Sequence, residues 1–422
     1  MQTLPEALPA QPGRVIVMKF GGTSVADPDK IRRVAARLVA AHESGRRVVG
    51  VVSAMGSSTD QLVALAREVS PHHHPREMDM LLSTGERISA ALCAMAIEDL
   101  GCSALSLTGS QAGIVTDTQH TKAKIVEIRP RRISEALDRG QIVLVAGFQG
   151  VSTAADVTTL GRGASDLTAV ALAAALDGDC EINTDVEGVF SADPRIVPRA
   201  RKLSRISNTE MLEMAGSGAR VLQLRSVEFA RNHGVALHVR SSFSDAQGTW
   251  IVKDGSMEDA IVSGITHTVD EAYVTLTDVP DHPGTAASIF NAVAAAHINV
   301  DTIIQNAVTH GDADITFSVP LDDLGLMTST IEGLCAQLGL HWRVDSDAAK
   351  VSLIGAGMKS HPGVAAKMFQ TLADLGINVR MIATSPIKVS CVIPRDRVEA
   401  AVAGLHEAFE AELAQSQEGA HA

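Results

Sequence analysis

Residues 15–24 read Val-Ile-Val-Met-Lys-Phe-Gly-Gly-Thr-Ser, and they carry the strongest structural signal in the chain. Apolar β-forming residues run up to Lys19, and Gly21 and Gly22 follow almost at once. In open α/β sheets ligands bind at the carboxyl ends of the strands, and glycine lets the backbone approach an anion closely. The stretch therefore predicts a buried strand that ends in an anion-binding turn. A tight turn with a solvated lysine would give the same pattern, so the choice depends on the rest of the chain.

The composition of the 422 residues is that of an ordinary globular protein, with 45% hydrophobic and 20% charged residues. A formal net charge of −13 argues against nucleic acid as a partner. No apolar run of membrane-spanning length is evident, and residues 1–13 lack a signal-peptide pattern, so we expect no membrane partner. The five cysteines are scattered and lack C-x-x-C spacing, which indicates reduced thiols. We therefore expect a cytoplasmic protein.

Strand-like and helix-like segments alternate from residue 15 to about residue 243. Such alternation predicts a largely parallel sheet with helices on both faces. The segment 247–257 is polar and contains glycine, which marks a boundary. We predict a flexible tail at 1–13 and a large α/β domain at 14–250.

The second part of the chain contains an internal repeat. Asp-His-Pro-Gly-Thr-Ala-Ala-Ser-Ile-Phe at 281–290 matches Ser-His-Pro-Gly-Val-Ala-Ala-Lys-Met-Phe at 360–369, and the Ile-Asn-Val at 298–300 recurs at 377–379. The offset is 79 residues at both ends, from 281 to 360 and from 298 to 377. Equal offsets indicate two copies of one fold.

Each copy has the pattern of a βαββαβ unit, but the second copy lacks its final strand. A strand-like segment at 260–266 stands before the first copy without a partner. The simplest resolution is that this segment completes the sheet of copy two, so that copy one is inserted within copy two. We predict copy one at 268–345 and copy two at 257–267 together with 346–415.

A series of motifs runs through the first part in a fixed order: Lys19-Phe-Gly-Gly-Thr-Ser24, Ser53-Ala-Met-Gly56 with Thr59-Asp60, Thr84-Gly-Glu-Arg87, Gly147-Phe-Gln-Gly150, Thr158-Thr-Leu-Gly-Arg-Gly-Ala-Ser-Asp166, and Thr184-Asp-Val-Glu-Gly188 with Ala192-Asp-Pro-Arg195. The series resembles that of the aspartate kinase family, and the repeat resembles paired ACT domains. The resemblance covers the whole chain. It implies an amino-acid-kinase-type sheet followed by two intertwined ACT-like domains. It also implies transfer of the γ-phosphoryl group of ATP to the side-chain carboxylate of L-aspartate, the first step towards lysine, threonine and methionine.

The residues fit phosphoryl transfer, which depends on positioning and charge neutralisation. The sequence holds neither G-x-x-x-x-G-K-[ST] nor G-x-G-x-x-G, so Gly21 and Gly22 must supply N–H donors while Lys19 holds the developing charge. A carboxylate nucleophile is already charged and needs no general base. Arg162, between two glycines, suits bidentate capture of the aspartate carboxylate. The following Ser165 and Asp166 would also make a helix N-cap, and both roles can coexist.

The resemblance assigns further roles, residue by residue. It implies catalytic roles for Lys19, Gly21, Gly22 and Asp166, and contacts to aspartate for Thr59, Glu86, Arg162 and Ser165. It implies contacts to ATP for Lys19, Phe20, Gly21, Gly22, Ser53, Thr184, Asp185, Phe190, Arg195 and Arg220. In these roles Glu86 pairs with the substrate ammonium, and Asp166 orients Lys19 or the metal.

The chain departs from the family pattern at the nucleotide site. Asn183 stands where an aromatic residue is common, Phe190 where tyrosine is common, and Arg220 where lysine is common. We expect these departures to bear on the nucleotide contacts rather than on the reaction. We expect Mg²⁺ bound mainly through the ATP phosphates and no protein-held metal site. The run of histidines at 72–74 has no patterned partner ligand and is typical of a solvated loop.

The repeat copies have their own candidate site, because helix N-termini capture carboxylates and an aspartate can meet an ammonium. The residues are Asp281, Gly284, Asn299, Val300, Asp301 and Gln305 in copy one, and His361, Gly363, Asn378 and Val379 in copy two. By resemblance such sites bind lysine, threonine or both as feedback inhibitors. A structural helix cap would explain any single one of them equally well.

Three further expectations concern assembly and alternatives. An exposed ACT-like sheet edge invites pairing with another chain, so we expect a homo-oligomer or an α₂β₂ assembly. In the second case Met257 is the candidate start of the small regulatory subunit. The alternative functions are a non-catalytic amino-acid sensor and a kinase for glutamate or N-acetylglutamate.

Overall fold

The structure, a computed structural model, describes residues 13–70, 72–253, 261–307 and 312–413. All but one residue of the predicted tail at 1–13 lie outside these ranges, as does Met257.

The first part of the chain folds into twelve strands and seven helices within the described residues. The strands are β1 (Val15–Phe20), β2 (Arg47–Val52), β3 (Ala104–Leu107), β4 (Ile114–Thr116), β5 (Ile125–Ile128), β6 (Ile142–Ala146), β7 (Gln149–Ser152), β8 (Val157–Thr159), β9 (Asp179–Thr184), β10 (Arg205–Ser207), β11 (Leu237–Ser241) and β12 (Thr249–Val252). The helices are α1 (Pro28–Glu43), α2 (Ser58–Val69), α3 (Pro75–Asp99), α4 (Arg131–Asp138), α5 (Ser165–Ala175), α6 (Asn208–Gly216) and α7 (Leu224–His233).

An eight-stranded sheet in the order β10-β12-β11-β9-β1-β2-β6-β3 forms the centre of this part. Its pairs are parallel except for β11 with β12. Separate clusters of buried aliphatic side chains cover its two faces. The fold class predicted from the sequence is therefore confirmed. The segment 247–257, predicted as a boundary, contains β12, so the sheet extends two residues beyond the expected end at 250.

A second, four-stranded sheet in the order β5-β4-β7-β8 was not predicted. Its strands have only three or four residues each, which is too short for an alternating pattern to stand out. This sheet carries the segment that leads from β8 into the loop before α5. It thereby sets the position of Arg162.

Helix starts follow simple capping chemistry. The Asp27 carboxylate accepts the Lys30 amide at 2.9 Å, and Pro28 occupies the first turn of α1. His74 caps α3 in the same way, because its Nδ1 accepts the Arg76 amide at 3.2 Å. The run of histidines thus contributes a helix cap. Helix α3 is also the one described helix that is long and apolar enough to cross a membrane, a feature that the sequence analysis overlooked. One side of it packs on α1, β6 and β8.

The second part of the chain has eight strands and four helices among the described residues. They are β13 (Gly264–Thr268), β14 (Glu271–Pro280), α8 (Thr285–Ala295), β15 (Ile303–Ala307), β16 (Asp312–Pro320), α9 (Leu324–Leu338), β17 (His341–Asp345), β18 (Ala348–Ile354), α10 (Val364–Asp374), β19 (Met381–Ser385), β20 (Lys388–Pro394) and α11 (Val398–Ala408).

These strands form two similar sheets, β15-β16-β14-β17 and β13-β18-β20-β19. The first holds copy one of the repeat. The second holds copy two, and its edge strand β13 precedes copy one in the chain and pairs antiparallel with β18. The strand expected at 260–266 is therefore found at Gly264–Thr268 and joins the sheet of copy two, although residue 260 lies outside the described ranges. The remaining domain boundaries stay predictions.

Candidate active site

Strand β1 and helix α5 bring Lys19 and Asp166 together. The Lys19 ammonium lies 2.6 Å from Oδ1 of Asp166, and both side chains are buried. Lys19 lies near the carboxyl end of β1, which pairs with β2 on one side and β9 on the other, and α5 packs against β1. The second carboxylate oxygen of Asp166 accepts the Gln223 amide at 3.3 Å. A fixed ion pair thus stands where parallel sheets bind ligands.

The turn after β1 is held by its neighbours. The Gly22 carbonyl accepts the Gly56 amide at 3.0 Å, and a Cβ at Gly22 would lie 2.9 Å from the Ala54 carbonyl oxygen, so only glycine fits there. The Gly21 amide donates to the Asn183 carbonyl at 3.2 Å. This differs from the expectation that Gly21 offers its N–H to a ligand, because the backbone of β9 already uses it.

Glu86 is a buried carboxylate on α3, beside the end of β2. Its Oε1 accepts the Ala54 amide at 3.2 Å, while its buried Oε2 has no partner among the described residues. Burial raises the pKa of Glu86 to about 7, because the low-dielectric surroundings disfavour the charged form. A buried carboxylate with a free oxygen is suited to an incoming cationic group.

The predicted aspartate clamp has an exposed member, Arg162, a half-buried member, Thr59, and two buried members, Glu86 and Ser165. The exposed Arg162 guanidinium pairs with Asp60 near the start of α2, and Thr59 is half-buried in the same turn. Ser165 is buried in the first turn of α5, yet the N-cap of α5 is Ala164, and no side chain caps the helix there. The N-cap reading of Ser165 and Asp166 is therefore wrong.

Residues at the start of α7 hold the loop before α5 in place, a contact that the sequence did not reveal. The Gln223 side-chain amide donates to the Arg162 carbonyl at 3.1 Å, while its backbone amide reaches Asp166. The Arg225 guanidinium donates to the Leu160 carbonyl at 2.5 Å and to the Ala123 carbonyl at 3.0 Å. The partners of Gln223 and Arg225 lie roughly sixty or more positions away in the chain, so no local sequence motif could predict these contacts.

A cavity of about 590 Å³ opens beyond the end of β9. Four of the residues predicted to contact ATP line it, namely Asp185, Phe190, Arg195 and Arg220. The loop after α6 and residues 265–269 complete its walls. The other six residues predicted to contact ATP do not line this cavity, namely Lys19, Phe20, Gly21, Gly22, Ser53 and Thr184. Thr184 adjoins it and donates its hydroxyl to Asp185 at 3.2 Å, while Ser53 donates its amide to the Phe20 carbonyl at 3.1 Å.

Both arginines of this cavity are held by carboxylates. Arg195 lies 2.6 Å from Asp193, and this hydrogen-bonded guanidinium holds the pKa of the Asp193 carboxyl below its usual value. Arg220 pairs with Asp270. Because both guanidinium groups are exposed, each pair contributes little to stability, about 0–1 kcal/mol. An anionic ligand can therefore take over either arginine at small cost.

The copies of the repeat show a second cavity, of about 340 Å³, in copy one. Of the residues predicted to bind an effector, Asp281, Gly284 and Gln305 line it, whereas Asn299, Val300 and Asp301 do not. Asp301 instead lies 2.7 Å from the buried Lys350 ammonium on β18. The Lys350 ammonium also lies 2.9 Å from Glu271, so it ties copy two to copy one.

In copy two the predicted residues occupy equivalent backbone positions. Gly363 precedes α10 with φ +106°, as Gly284 precedes α8 with φ +104°. His361, Asn378 and Val379 lie in the loops at the two ends of α10, with Nδ1 of His361 2.9 Å from the Gly357 carbonyl oxygen. Within the described ranges, no cluster of three or more His, Cys, Asp or Glu residues could hold a metal ion.

Comparison with known proteins identifies the class. The family model described as amino acid kinase family matches residues 14–241, and two models described as ACT domain match residues 273–336 and 351–409. The aspartokinase of Mycolicibacterium smegmatis is 55% identical over 403 residues, which is 94% of this chain and 96% of the relative.

Solved structures show the same likeness. Escherichia coli aspartokinase III in complex with aspartate and ADP (R-state) matches with a TM-score of 0.82 and 25% identity, over 94% of this chain and 100% of that chain. The same enzyme in complex with lysine and aspartate (T-state) matches with a TM-score of 0.71 and 26% identity, over 93% and 99% of the two chains.

The fold and the site define an amino acid kinase with a tandem pair of ACT domains. Within that class, the chain belongs to the aspartokinase family. It is a nucleotide-binding kinase, and the family assignment made from the motifs is confirmed. The roles of the individual site residues stay predictions.

Proposed function

We propose that the enzyme transfers the γ-phosphoryl group of ATP to the side-chain carboxylate of L-aspartate, forming 4-phospho-L-aspartate and ADP. The observation that carries the proposal is the buried Lys19–Asp166 ion pair, next to the Gly22 turn and at the same sheet edge as the cavity of Asp185 and Arg195. The structure of Escherichia coli aspartokinase III with aspartate and ADP supports this choice of ligands.

Lys19 stabilises the charge that develops on the migrating phosphoryl group, and Asp166 fixes its ammonium in position. The Gly22 amide donates a hydrogen bond to the migrating phosphoryl group, since the Gly21 amide is engaged by the Asn183 carbonyl. The attacking oxygen belongs to a carboxylate that is ionised at neutral pH, so no base is required. Catalysis then depends on holding two anions in line.

The substrate aspartate is held by its own charged groups. The Arg162 guanidinium leaves Asp60 to bind a substrate carboxylate, and the free oxygen of Glu86 accepts the substrate ammonium. Thr59 and Ser165, in the first turns of α2 and α5, supply hydroxyl contacts. The aspartate contacts therefore lie apart from the nucleotide cavity, as two separate substrates require.

The nucleotide occupies the cavity beside β9, where Phe190 offers a stacking face and Arg195 and Arg220 meet the phosphates. Mg²⁺ supplies further neutralisation of the phosphate charge when it is bound. The exposed Asp185 carboxylate on the cavity wall is an oxygen donor of the kind that Mg²⁺ accepts, directly or through water.

The ACT domains make the enzyme responsive to amino acids, with lysine or threonine as effector and lysine, threonine and methionine biosynthesis as the pathway. The cavity of Asp281, Gly284 and Gln305 is the candidate effector site, and the lysine complex of Escherichia coli aspartokinase III supports lysine as one effector. The edge strands β15 and β19 favour a homo-oligomer or an α₂β₂ assembly. The five free cysteines fit a cytoplasmic location.

A coupled assay of ADP release tests the substrate. The full-length enzyme is supplied with MgATP and, in parallel reactions, with aspartate, glutamate or N-acetylglutamate. We expect turnover with aspartate to exceed that with the other two acids by about a hundredfold. N-acetylglutamate lacks the free ammonium that Glu86 would pair with, and the extra methylene of glutamate displaces its side-chain carboxylate from the in-line position. Equal turnover with glutamate would refute the aspartate assignment, and turnover with none of them would favour the sensor alternative.

A further inference from the structure

One wall of the nucleotide cavity comes from the regulatory part of the chain. Residues 265–269 line the cavity, and they include most of β13. The same strand is the edge of the copy-two sheet, where His267 lies opposite Val351 of β18. A strand of the ACT domain therefore reaches into the proposed nucleotide site.

The edge of β13 that is not paired with β18 faces the loops around the cavity. The Ile265 amide donates to the Ser191 carbonyl at 2.7 Å, so it points away from β18. In an antiparallel pair, every second residue points its backbone N–H and C=O groups away from the partner strand. His267 lies two residues after Ile265, so its backbone groups also point away from β18. A Cβ at Gly218 would lie 2.0 Å from the His267 carbonyl oxygen, so the loop after α6 packs directly on His267.

The half-buried His267 imidazole lies among the charged groups of the cavity. The groups that act on it are Asp193 and Arg195 from the loop after β9, Arg220 from the loop after α6, and Asp270 after β13. Both arginines are already paired with these carboxylates. Burial lowers the pKa of His267 below its usual value, so the imidazole is mostly neutral near pH 7.

We propose that His267 is a further nucleotide-binding residue, which takes up a proton as the polyphosphate of ADP or ATP enters the cavity. The inference rests on the proposed function, since it places the nucleotide in this cavity. The phosphates draw Arg195 and Arg220 towards the ligand and add negative charge beside the imidazole. Added negative charge stabilises the imidazolium form, which then donates a hydrogen bond to a phosphate oxygen.

Calorimetry on the full-length protein tests the inference, with MgADP as the probe. Binding is measured for wild type, His267→Asn and His267→Gln, at about pH 6 and about pH 8 and in buffers of different ionisation enthalpy. The titration of ADP itself is common to all three proteins and cancels in the comparison. His233→Asn is the matched control, because His233 is exposed and stacks on Phe229 of its own helix.

We expect the affinity of wild type, relative to either His267 variant, to rise by about threefold or more from pH 8 to pH 6. Wild type should also take up more protons on binding than the variants, by at most about one. His233→Asn should behave as wild type. A variant whose affinity changes by the same factor at both pH values, or not at all, would overturn the inference while leaving the proposed function standing. If wild type binds no MgADP, the proposed function itself fails.

Discussion

The pKa of Glu86 gives the most exacting prediction. Its carboxylate is buried on α3, keeps one oxygen free, and has a pKa of about 7 because burial disfavours the charged form. The substrate ammonium is attracted only by the ionised carboxylate. Aspartate binding must therefore displace a proton from Glu86 at low pH.

The size of the effect follows from the pKa. With a pKa of about 7, the ionised fraction of Glu86 falls roughly tenfold between about pH 8 and about pH 6. We expect the KM for aspartate to rise by the same factor, about tenfold, over this interval, while the KM for ATP changes much less. In Glu86→Gln the KM for aspartate should be about ten- to a hundredfold higher at pH 8, from the loss of a charge-assisted hydrogen bond, and should lose this pH dependence.

Stability should change in the opposite direction. The folded-state pKa of Glu86, about 7, lies above the ordinary value of 4.5, so stability is lost as pH rises from about 4.5 through 7. A pKa shift of this size lowers the free energy of unfolding by an amount on the order of 3 kcal/mol once Glu86 is ionised. Glu86→Gln should therefore be more stable than wild type at about pH 8, by up to that amount, and unchanged near pH 4.5.

The assay is steady-state kinetics at several pH values combined with urea unfolding. Glu77→Gln is the matched control, since Glu77 lies on the same helix in an exposed pair with Arg76. A Glu86→Gln enzyme that keeps the pH dependence of the aspartate KM would refute the reasoning. An unchanged free energy of unfolding at pH 8 would show that the carboxylate is better solvated than the structure indicates.

Three further predictions concern other sites. Lys19→Met should lower kcat by about a hundred- to a thousandfold and cost about 3–5 kcal/mol of stability, because it leaves Asp166 buried without its partner. Adding Asp166→Asn should restore stability in urea unfolding but not turnover. A Lys19→Met enzyme with more than about a tenth of wild-type kcat would contradict the assignment. Arg162→Ala should raise the KM for aspartate far more than that for ATP without affecting folding, because its guanidinium is exposed; equal effects on both constants would disprove the clamp. Gln305→Ala or Asp281→Asn should weaken calorimetric binding of lysine or threonine while leaving both KM values unchanged, and unaltered binding would move the effector site elsewhere.

The strand–turn at residues 15–24 could be predicted because its signals are local. Apolar β-forming residues lead to a lysine, and two glycines follow after one further residue; β1 ends at Phe20, one residue beyond the predicted end at Lys19. The inserted copy could also be predicted, since a repeat with a constant offset and one unpaired strand leave few arrangements. The pairing of β13 with β18 follows that reasoning.

Contacts between distant residues could not be predicted in the same way. Arg162 meets Asp60 across 102 positions, and Asp301 meets Lys350 across 49, with no pattern in the sequence to link them. The Gly21 amide donates to a backbone carbonyl of β9. Every residue has such a carbonyl, so the sequence does not indicate which one is used. The capping of α3 by His74 was missed because histidine is an unusual cap residue.

The central claim is that the side-chain carboxylate of aspartate receives the phosphoryl group, and trapping of the product tests it most directly. The full-length enzyme is incubated with MgATP, aspartate and hydroxylamine, and the hydroxamate is identified by mass spectrometry and NMR against authentic standards. We predict the β-hydroxamate of aspartate in amounts equal to the ADP released, and about a hundredfold less of both in the same time with Lys19→Met. ADP release without a hydroxamate, or formation of the α-hydroxamate, would contradict the account.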